Sequence, residues 1–296
     1  MAEKAQAGGA ARVGGSLSHL PSRNPPGRHV SGAVTGCRSV RGLAAACLLC
    51  SLVAQADQGV DAYHAKWTTV LEAYVDETGF VDYDGLLADR GTFDEYVAWL
   101  DATGPRTHPR RFEGRATQLA FYINAYNALV FDVVLARGPE RKSVWRGLIS
   151  GWAFFRGMDV RLDGEVTNLQ TIEDVLIREG FADPRIHAAL NCASVSCPRL
   201  PREAFQPATL EAQLDTAMRE FVRDHVRFEA ESGTAYLSKI FDWFEEDFLA
   251  FEQAMGHPDP ALINYVNRYR GADAQIPAGA RVRFMDYDKG INAQPR

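Results

Sequence analysis

The chain has 296 residues, with 32 Lys and Arg against 38 Asp and Glu, a formal net charge of −6. The imbalance lies downstream of position 56, where 26 basic residues face 37 acidic ones, a net charge of −11. Nucleic-acid partners, whose binding rests on phosphate neutralisation, are therefore not expected, and neither is attachment to an anionic membrane surface.

In chain order, Arg38 and Arg41 precede an apolar stretch over residues 42–53, and Ala54-Gln55-Ala56 supplies a small-x-small site. That sequence predicts an export signal cleaved after Ala56, a mature N-terminus at Asp57 and a periplasmic or secreted location. Residues 1–36 are rich in Gly, Ser, Arg and Pro without apolar periodicity; initiation at Val34 would leave an ordinary leader. The apolar stretch is shorter than the roughly 20 residues that span a bilayer, and no membrane span is expected in the mature chain. Residues 57–296 are read as one globular domain.

Tyr63, Trp67, Val70, Leu71 and Tyr74 fall at helical spacing over residues 60–76, as do Phe93, Tyr96, Val97 and Leu100 over residues 92–100. A short extended segment is expected at residues 79–83 and a loop at residues 104–109. Residues 113–137, closed by Gly138-Pro139, form the longest predicted helix. It is apolar almost all round, so it should be central, and Asn124 and Asn127 on one of its faces should be buried and hydrogen-bonded to loops around Cys192.

Asp163-Gly164 marks a hairpin within residues 158–167, and residues 226–229 and 234–237 flank a second. Residues 281–284 read as a further strand. Helices are predicted over residues 169–178, 210–223, 241–255 and 260–269, the last with Asp259 as N-cap and Pro260 at its first position. Helices outnumber strands and the strand pairs are hairpins. The predicted class is α+β, a mostly helical single domain with a small, largely antiparallel sheet.

Only Cys192 and Cys197 of the five cysteines lie beyond the predicted leader. They close the segment Ile186-His187-Ala188-Ala189-Leu190-Asn191-Cys192-Ala193-Ser194-Val195-Ser196-Cys197-Pro198. A strand over residues 186–192 is the favoured reading; it points His187 away from Cys192 and leaves Cys197 to fold back toward the imidazole. A helix instead would bring His187, Asn191 and Cys192 together. A thiol-dependent hydrolase or transferase needs a thiolate, a histidine and a group that orients it. Cys192 or Cys197, His187 and Asn124 meet that need in composition, with Asn127, Glu173, Asn191 and Ser194 as candidate substrate contacts. The competing reading is a Cys192–Cys197 disulfide pinning the loop of a non-enzymatic binding or interaction module. Common zinc spacings are not matched, and neither a metal nor a cofactor is expected. Asp242, Glu245, Glu246 and Asp247 read as a solvated helix face, and Trp152, Phe154 and Phe155 as core or pocket lining.

Four blocks resemble the family called domain of unknown function 547: Ala120-Phe121-Tyr122-Ile123-Asn124-Ala125-Tyr126-Asn127-Ala128-Leu129; the histidine-to-cysteine segment from Arg185 to Pro198; Leu237-Ser238-Lys239-Ile240-Phe241-Asp242-Trp243-Phe244-Glu245-Glu246-Asp247-Phe248; and Met285-Asp286-Tyr287-Asp288-Lys289-Gly290-Ile291-Asn292. The resemblance spans about residues 121–292. Asp174 stands where the family commonly has histidine, and Lys289 where it has tryptophan. The resemblance implies a fold and the location of a site but no substrate; a small molecule or a peptide is the expected partner, and the oligomeric state is open.

Overall fold

The computed structural model describes residues 60–138, 143 and 154–295. The predicted leader and Trp152 lie outside these residues. Helix α1 (Val60–Tyr74) buries His64, Trp67, Val70 and Leu71. Val81 then makes isolated bridges to Val75 and Ala293, which is all that forms of the expected extended segment. A short helix the sequence did not announce follows as α2 (Tyr83–Ala88), started by the Asp82 carboxylate accepting the Gly85 N–H. Helix α3 (Gly91–Ala102) packs Phe93, Tyr96, Trp99 and Leu100 inward.

Helix α4 (Arg115–Arg137) is the axis of the fold, buried along most of its length and ended at Gly138, whose φ of +92° suits a residue without a Cβ. By length and apolar composition it is the one described helix that could cross a membrane, contrary to the expectation that no later segment reaches that size. Its burial against α1, α3 and the chain around Leu190 accounts for the apolar composition.

The hairpin β1 (Val160–Leu162) and β2 (Glu165–Thr167) turns at Asp163, itself at φ +54°, and Gly164 at +77°. Helix α5 (Leu169–Thr171) runs directly into a π-helical stretch, Ile172–Glu179. Helix α6 (Leu210–His225) leads into β3 (Val226–Glu229), which pairs antiparallel with β4 (Thr234–Leu237) in the predicted hairpin. The sequence predicted one helix over residues 241–255; it is broken at Phe244 into α7 (Lys239–Trp243) and α8 (Glu245–Ala254). Helix α9 (Leu262–Asn267) starts at Ala261, not Asp259: Asn264 Nδ2 donates to the Asp259 carbonyl, so the chain enters the helix two residues later than expected. Strand β5 (Arg281–Phe284) lies parallel to β4, while the β1–β2 and β3–β4 pairings are antiparallel, so the pairing is largely antiparallel as expected.

The class is α+β, with two small sheets beside the helices. Two hydrophobic clusters form. One surrounds α4; the other joins Met218, Phe221, Phe241, Phe248 and Tyr265. The segment bearing the cysteines runs along the seam between them, with Ile186, Ala189 and Leu190 in the first cluster and Ala188 in the second.

Candidate functional site

The segment over residues 186–192 is not the favoured strand. Pro184 sits at the first position of a 3-10 turn, Pro184–Ala188, and the Asp183 carboxylate accepts the Arg185 N–H at 3.1 Å, so the local chemistry starts a helical turn before any ladder partner is available. The extended alternative fails further on because Asn191 captures the backbone itself. Its Oδ1 accepts the Ala193 N–H at 2.8 Å and its Nδ2 donates to the Pro198 carbonyl at 2.7 Å, closing a loop in which Ala193 takes φ +60°. Cys192 and Cys197 are joined by a disulfide across this loop, with Cα atoms 6.2 Å apart.

Two further elements fix the loop. From α4, Asn127 Nδ2 donates to the Ala189 carbonyl and its Oδ1 accepts the Asn191 N–H, both at 2.9 Å. From the C-terminus, Val195 N–H donates to Gly290 O at 2.8 Å and Asn292 N–H to Ala193 O at 3.2 Å. That pairing brings the Tyr287 hydroxyl to 3.2 Å from Cys192 Sγ and 3.1 Å from Cys197 Sγ. A disulfide sulfur carries no proton, so the hydroxyl is the donor.

Beside the disulfide lies a cavity of about 150 Å³. Tyr126, Phe155, Trp243, Phe244 and Tyr287 supply aromatic walls; Leu190, Pro198 and Ile240 supply aliphatic ones. Its polar lining is Gln170, Glu173 and His187 together with the two cysteines. Cys192 is part-exposed and Cys197 is 6% exposed.

Glu173 stands on the π-helical stretch, a rare conformation that recurs at functional sites. It accepts the Tyr126 hydroxyl at 2.8 Å. Burial pushes its carboxyl up to about 7, with the neighbouring Asp174 charge adding to the effect and the Tyr126 bond and Arg178 opposing it. The group therefore exchanges a proton near neutral pH.

His187 lies on the far wall. Its Nε2 is 2.7 Å from Asp247 Oδ2, and its ring stacks on Phe244 with centroids 4.1 Å apart. Burial lowers the imidazole pKa against the pull of Asp247. Burial would raise Asp247, but hydrogen bonds from His187 and from Arg178, at 2.9 Å, outweigh it and hold the carboxyl at about 2. A neutral imidazole donating Nε2–H to a carboxylate satisfies both shifts.

The candidate residues thus divide. His187, Glu173, Cys192 and Cys197 line one cavity. Asn127 and Asn191 build its wall through the backbone, and Ser194, buried, hydrogen-bonds the Tyr287 hydroxyl. Asn124 is elsewhere: it clamps Phe205, donating to its carbonyl at 2.8 Å and accepting its N–H at 2.9 Å, and also reaches His64 Nδ1 at 3.3 Å. His187 and both sulfurs line the same cavity, and among the described residues the imidazole is hydrogen-bonded to Asp247 while the Tyr287 hydroxyl contacts both sulfurs.

Tyr126, Asp247 and Tyr287 escaped the sequence reading as site residues. Asp247 belongs to the acidic run read as a solvated helix face, and it lies half-buried in the first turn of α8, just after the break at Phe244. Tyr287 lies in the terminal block at residues 285–292, where no local signal ties it to the cysteines. Asp174, in the place of the family's common histidine, pairs with Arg178 at 2.8 Å. Among the described residues no cluster of three or more His, Cys, Asp or Glu suits a metal.

Residues 109–222 match the family model described as "Protein of unknown function, DUF547". The resemblance read from the sequence is thereby confirmed over the segment holding α4, Glu173 and the disulfide loop, while the blocks at residues 237–248 and 285–292 lie beyond the match. No curated protein and no solved structure matches the chain.

Proposed function

We propose, taking residues 109–222 as a DUF547 region whose family description assigns no activity, that this cavity performs thiol–disulfide exchange on the Cys192–Cys197 pair. The observation that carries the reading is the asymmetry of the two sulfurs. Cys192 is the more exposed, whereas Cys197 Sγ receives the Cys192 backbone N–H at 3.0 Å in addition to the Tyr287 hydroxyl that both sulfurs share, at 3.2 Å from Cys192 and 3.1 Å from Cys197. Donors aimed at a sulfur stabilise the thiolate it becomes, and a stabilised leaving thiolate departs faster.

A thiol RSH gives its proton to the Glu173 carboxylate, and the thiolate attacks Cys192 Sγ. The Cys192–Cys197 bond breaks, its electron pair goes to Cys197, and a mixed disulfide remains on Cys192. Glu173 returns the proton to the Cys197 thiolate, directly or through Tyr287. A second RSH repeats the attack on the outer sulfur, releasing RSSR and leaving two cysteine thiols: two substrate thiols are oxidised and one disulfide is reduced. The reverse direction oxidises the pair. A carboxyl that titrates near 7 suits either direction at neutral pH. The export signal read in residues 1–56 fits this proposal, since an oxidising compartment favours the disulfide form.

A second reading rests on the His187–Asp247 pair. With the disulfide reduced, Cys192, His187 and Asp247 have the composition of a cysteine hydrolase or transferase acting on a peptide or amide, with Asp247 as the orienting group.

The deciding experiment reduces the oxidised full chain with 2-mercaptoethanol, folded and in urea. Exchange predicts faster reduction of the folded chain, and in Cys197→Ser, offered 2-hydroxyethyl disulfide in place of the thiol, attack by Cys192 that releases one 2-mercaptoethanol and leaves a stable mixed disulfide on Cys192. If the folded chain is the slower one and no adduct forms, the disulfide is structural and the cavity belongs to a binding module. Acyl transfer instead predicts that the reduced protein is alkylated at Cys192 with a pH profile displaced by His187→Ala.

A further inference from the structure

The cavity's lining has a chemical bias that the exchange reading does not use. Among the described lining residues the only groups able to carry charge near neutral pH are Glu173 and His187, and His187 is held neutral against Asp247; neither lysine nor arginine lines the space. Arg178 offsets Glu173 only in part, because its guanidinium is spanned between Asp174 at 2.8 Å and Asp247 at 2.9 Å, two carboxylates for one cation. Tyr126 and Tyr287, the other titratable groups facing Glu173, stay protonated because burial raises both. The remaining walls are aromatic, with Trp243 and Tyr287 packed at a ring separation of 4.7 Å. A carboxylate set among aromatic faces is the arrangement that recognises an organic cation.

Resting on the exchange reading, we propose that the thiol this cavity takes is a small aminothiol, its ammonium drawn to Glu173 and the aromatic walls while its sulfur meets Cys192. The volume limits the class, since about 150 Å³ holds a compound of a few heavy atoms and excludes a tripeptide thiol lying wholly inside. Anionic thiols are disfavoured twice. They approach a carboxylate that Arg178 compensates only in part, and they lose hydration that no basic side chain in the lining replaces.

The test is the rate of reduction of the oxidised full chain by cysteamine, 2-mercaptoethanol and 3-mercaptopropionate, each expressed per thiolate and divided by its rate on the same chain in urea. The expected order is cysteamine first and mercaptopropionate last, with about tenfold between the ends at a pH where Glu173 is ionised. Glu173→Gln should compress the span to about twofold. In the wild type, lowering the pH from about 8 to about 6 should compress it as well, since Glu173 gains its proton while the charges of the amine and carboxylate probes do not change. The pH series serves should the variant not fold. Equal rates for the three thiols in the folded wild type, or an order that survives both neutralisations, overturn the aminothiol assignment and leave exchange standing. Folded rates below the urea rates for all three thiols overturn exchange itself, and this inference with it.

Discussion

A groove of about 700 Å³ runs between α6 and the chain after α9, lined by Arg219, Arg223, Arg227 and Arg270; the disulfide cavity holds about 150 Å³. The larger space carries the weaker chemistry. Arg223 pairs with the adjacent Asp224 at 2.7 Å, Arg227 with Glu229, and Arg270 donates to the Ala274 carbonyl at 2.7 Å. These are exposed or half-exposed cations whose neighbours and solvent meet their needs. In the smaller cavity, a carboxyl, an imidazole and a disulfide are buried or half-buried and each is held by a directed contact, from Tyr126, Asp247 and Tyr287 respectively. Polar groups removed from solvent acquire altered proton affinity and directed contacts, and these distinguish a site from a hollow.

The comparison is most easily broken at Asn127. Leucine there leaves the Ala189 carbonyl and the Asn191 N–H buried without partners, at an expected total cost of about 2–4 kcal/mol. Urea unfolding of Asn127→Leu measures it; a loss no larger than that of a surface substitution would mean that α4 does not position the loop.

Glu173 should make the stability depend on pH. Its folded pKa, about 7, lies above its ordinary value of 4.5, so the folded state holds the proton more tightly than the unfolded one. Its contribution is fully present below about 4.5 and is lost as pH rises through about 7, a change on the order of 2–3 kcal/mol. Glu173→Gln should flatten that part of the profile in denaturant titrations at fixed ionic strength. Asp247, held at about 2, acts with the opposite sign and only in acid, as pH falls below its ordinary value of 3.8.

Tyr287→Phe removes the hydroxyl that contacts both sulfurs, together with its bond to Ser194. Losing one of the two donors to Cys197 should slow reduction of the folded chain by about tenfold while leaving the rate in urea unchanged. Equal slowing in both states would assign the effect to something other than the cavity.

Much of the fold could be read from local signals because those signals and the tertiary structure agree: Asp163-Gly164 turns a hairpin, Gly138 ends α4, and the two amides on the α4 face are buried and paired as expected. The site was legible in part. The cysteines, His187, Glu173 and Asn127 were named, but their mutual placement depends on Asn191 folding its side chain onto the backbone and on a break at Phe244 that helical periodicity does not reveal. The partnership of Tyr287 with the sulfurs is a contact across 90 or more residues, created by the C-terminal segment pairing along the loop. Nothing local in either segment encodes it. Asn124 shows the converse error, since an amide on a helix face signals a buried partner without saying which loop supplies it.

The smallest effect is expected in the groove. Arg219 is exposed and, among the described residues, has no hydrogen-bond or ion-pair partner, so Arg219→Ala removes only a solvated cation. Its melting temperature should stay within about 2 °C of the wild type, and reduction of the disulfide should be unchanged. The groove lies along the later turns of α6 and the start of β3, where Met218, Phe221, Val222 and Val226 pack in the second hydrophobic cluster, whereas Asn127 holds the disulfide loop directly and Glu173 lines the cavity beside it. A clear loss of stability in Arg219→Ala would show the groove to be a built part of the fold. A changed reduction rate would show it to be coupled to the cavity, and the contrast between an inert hollow and a reactive one would then have to be abandoned.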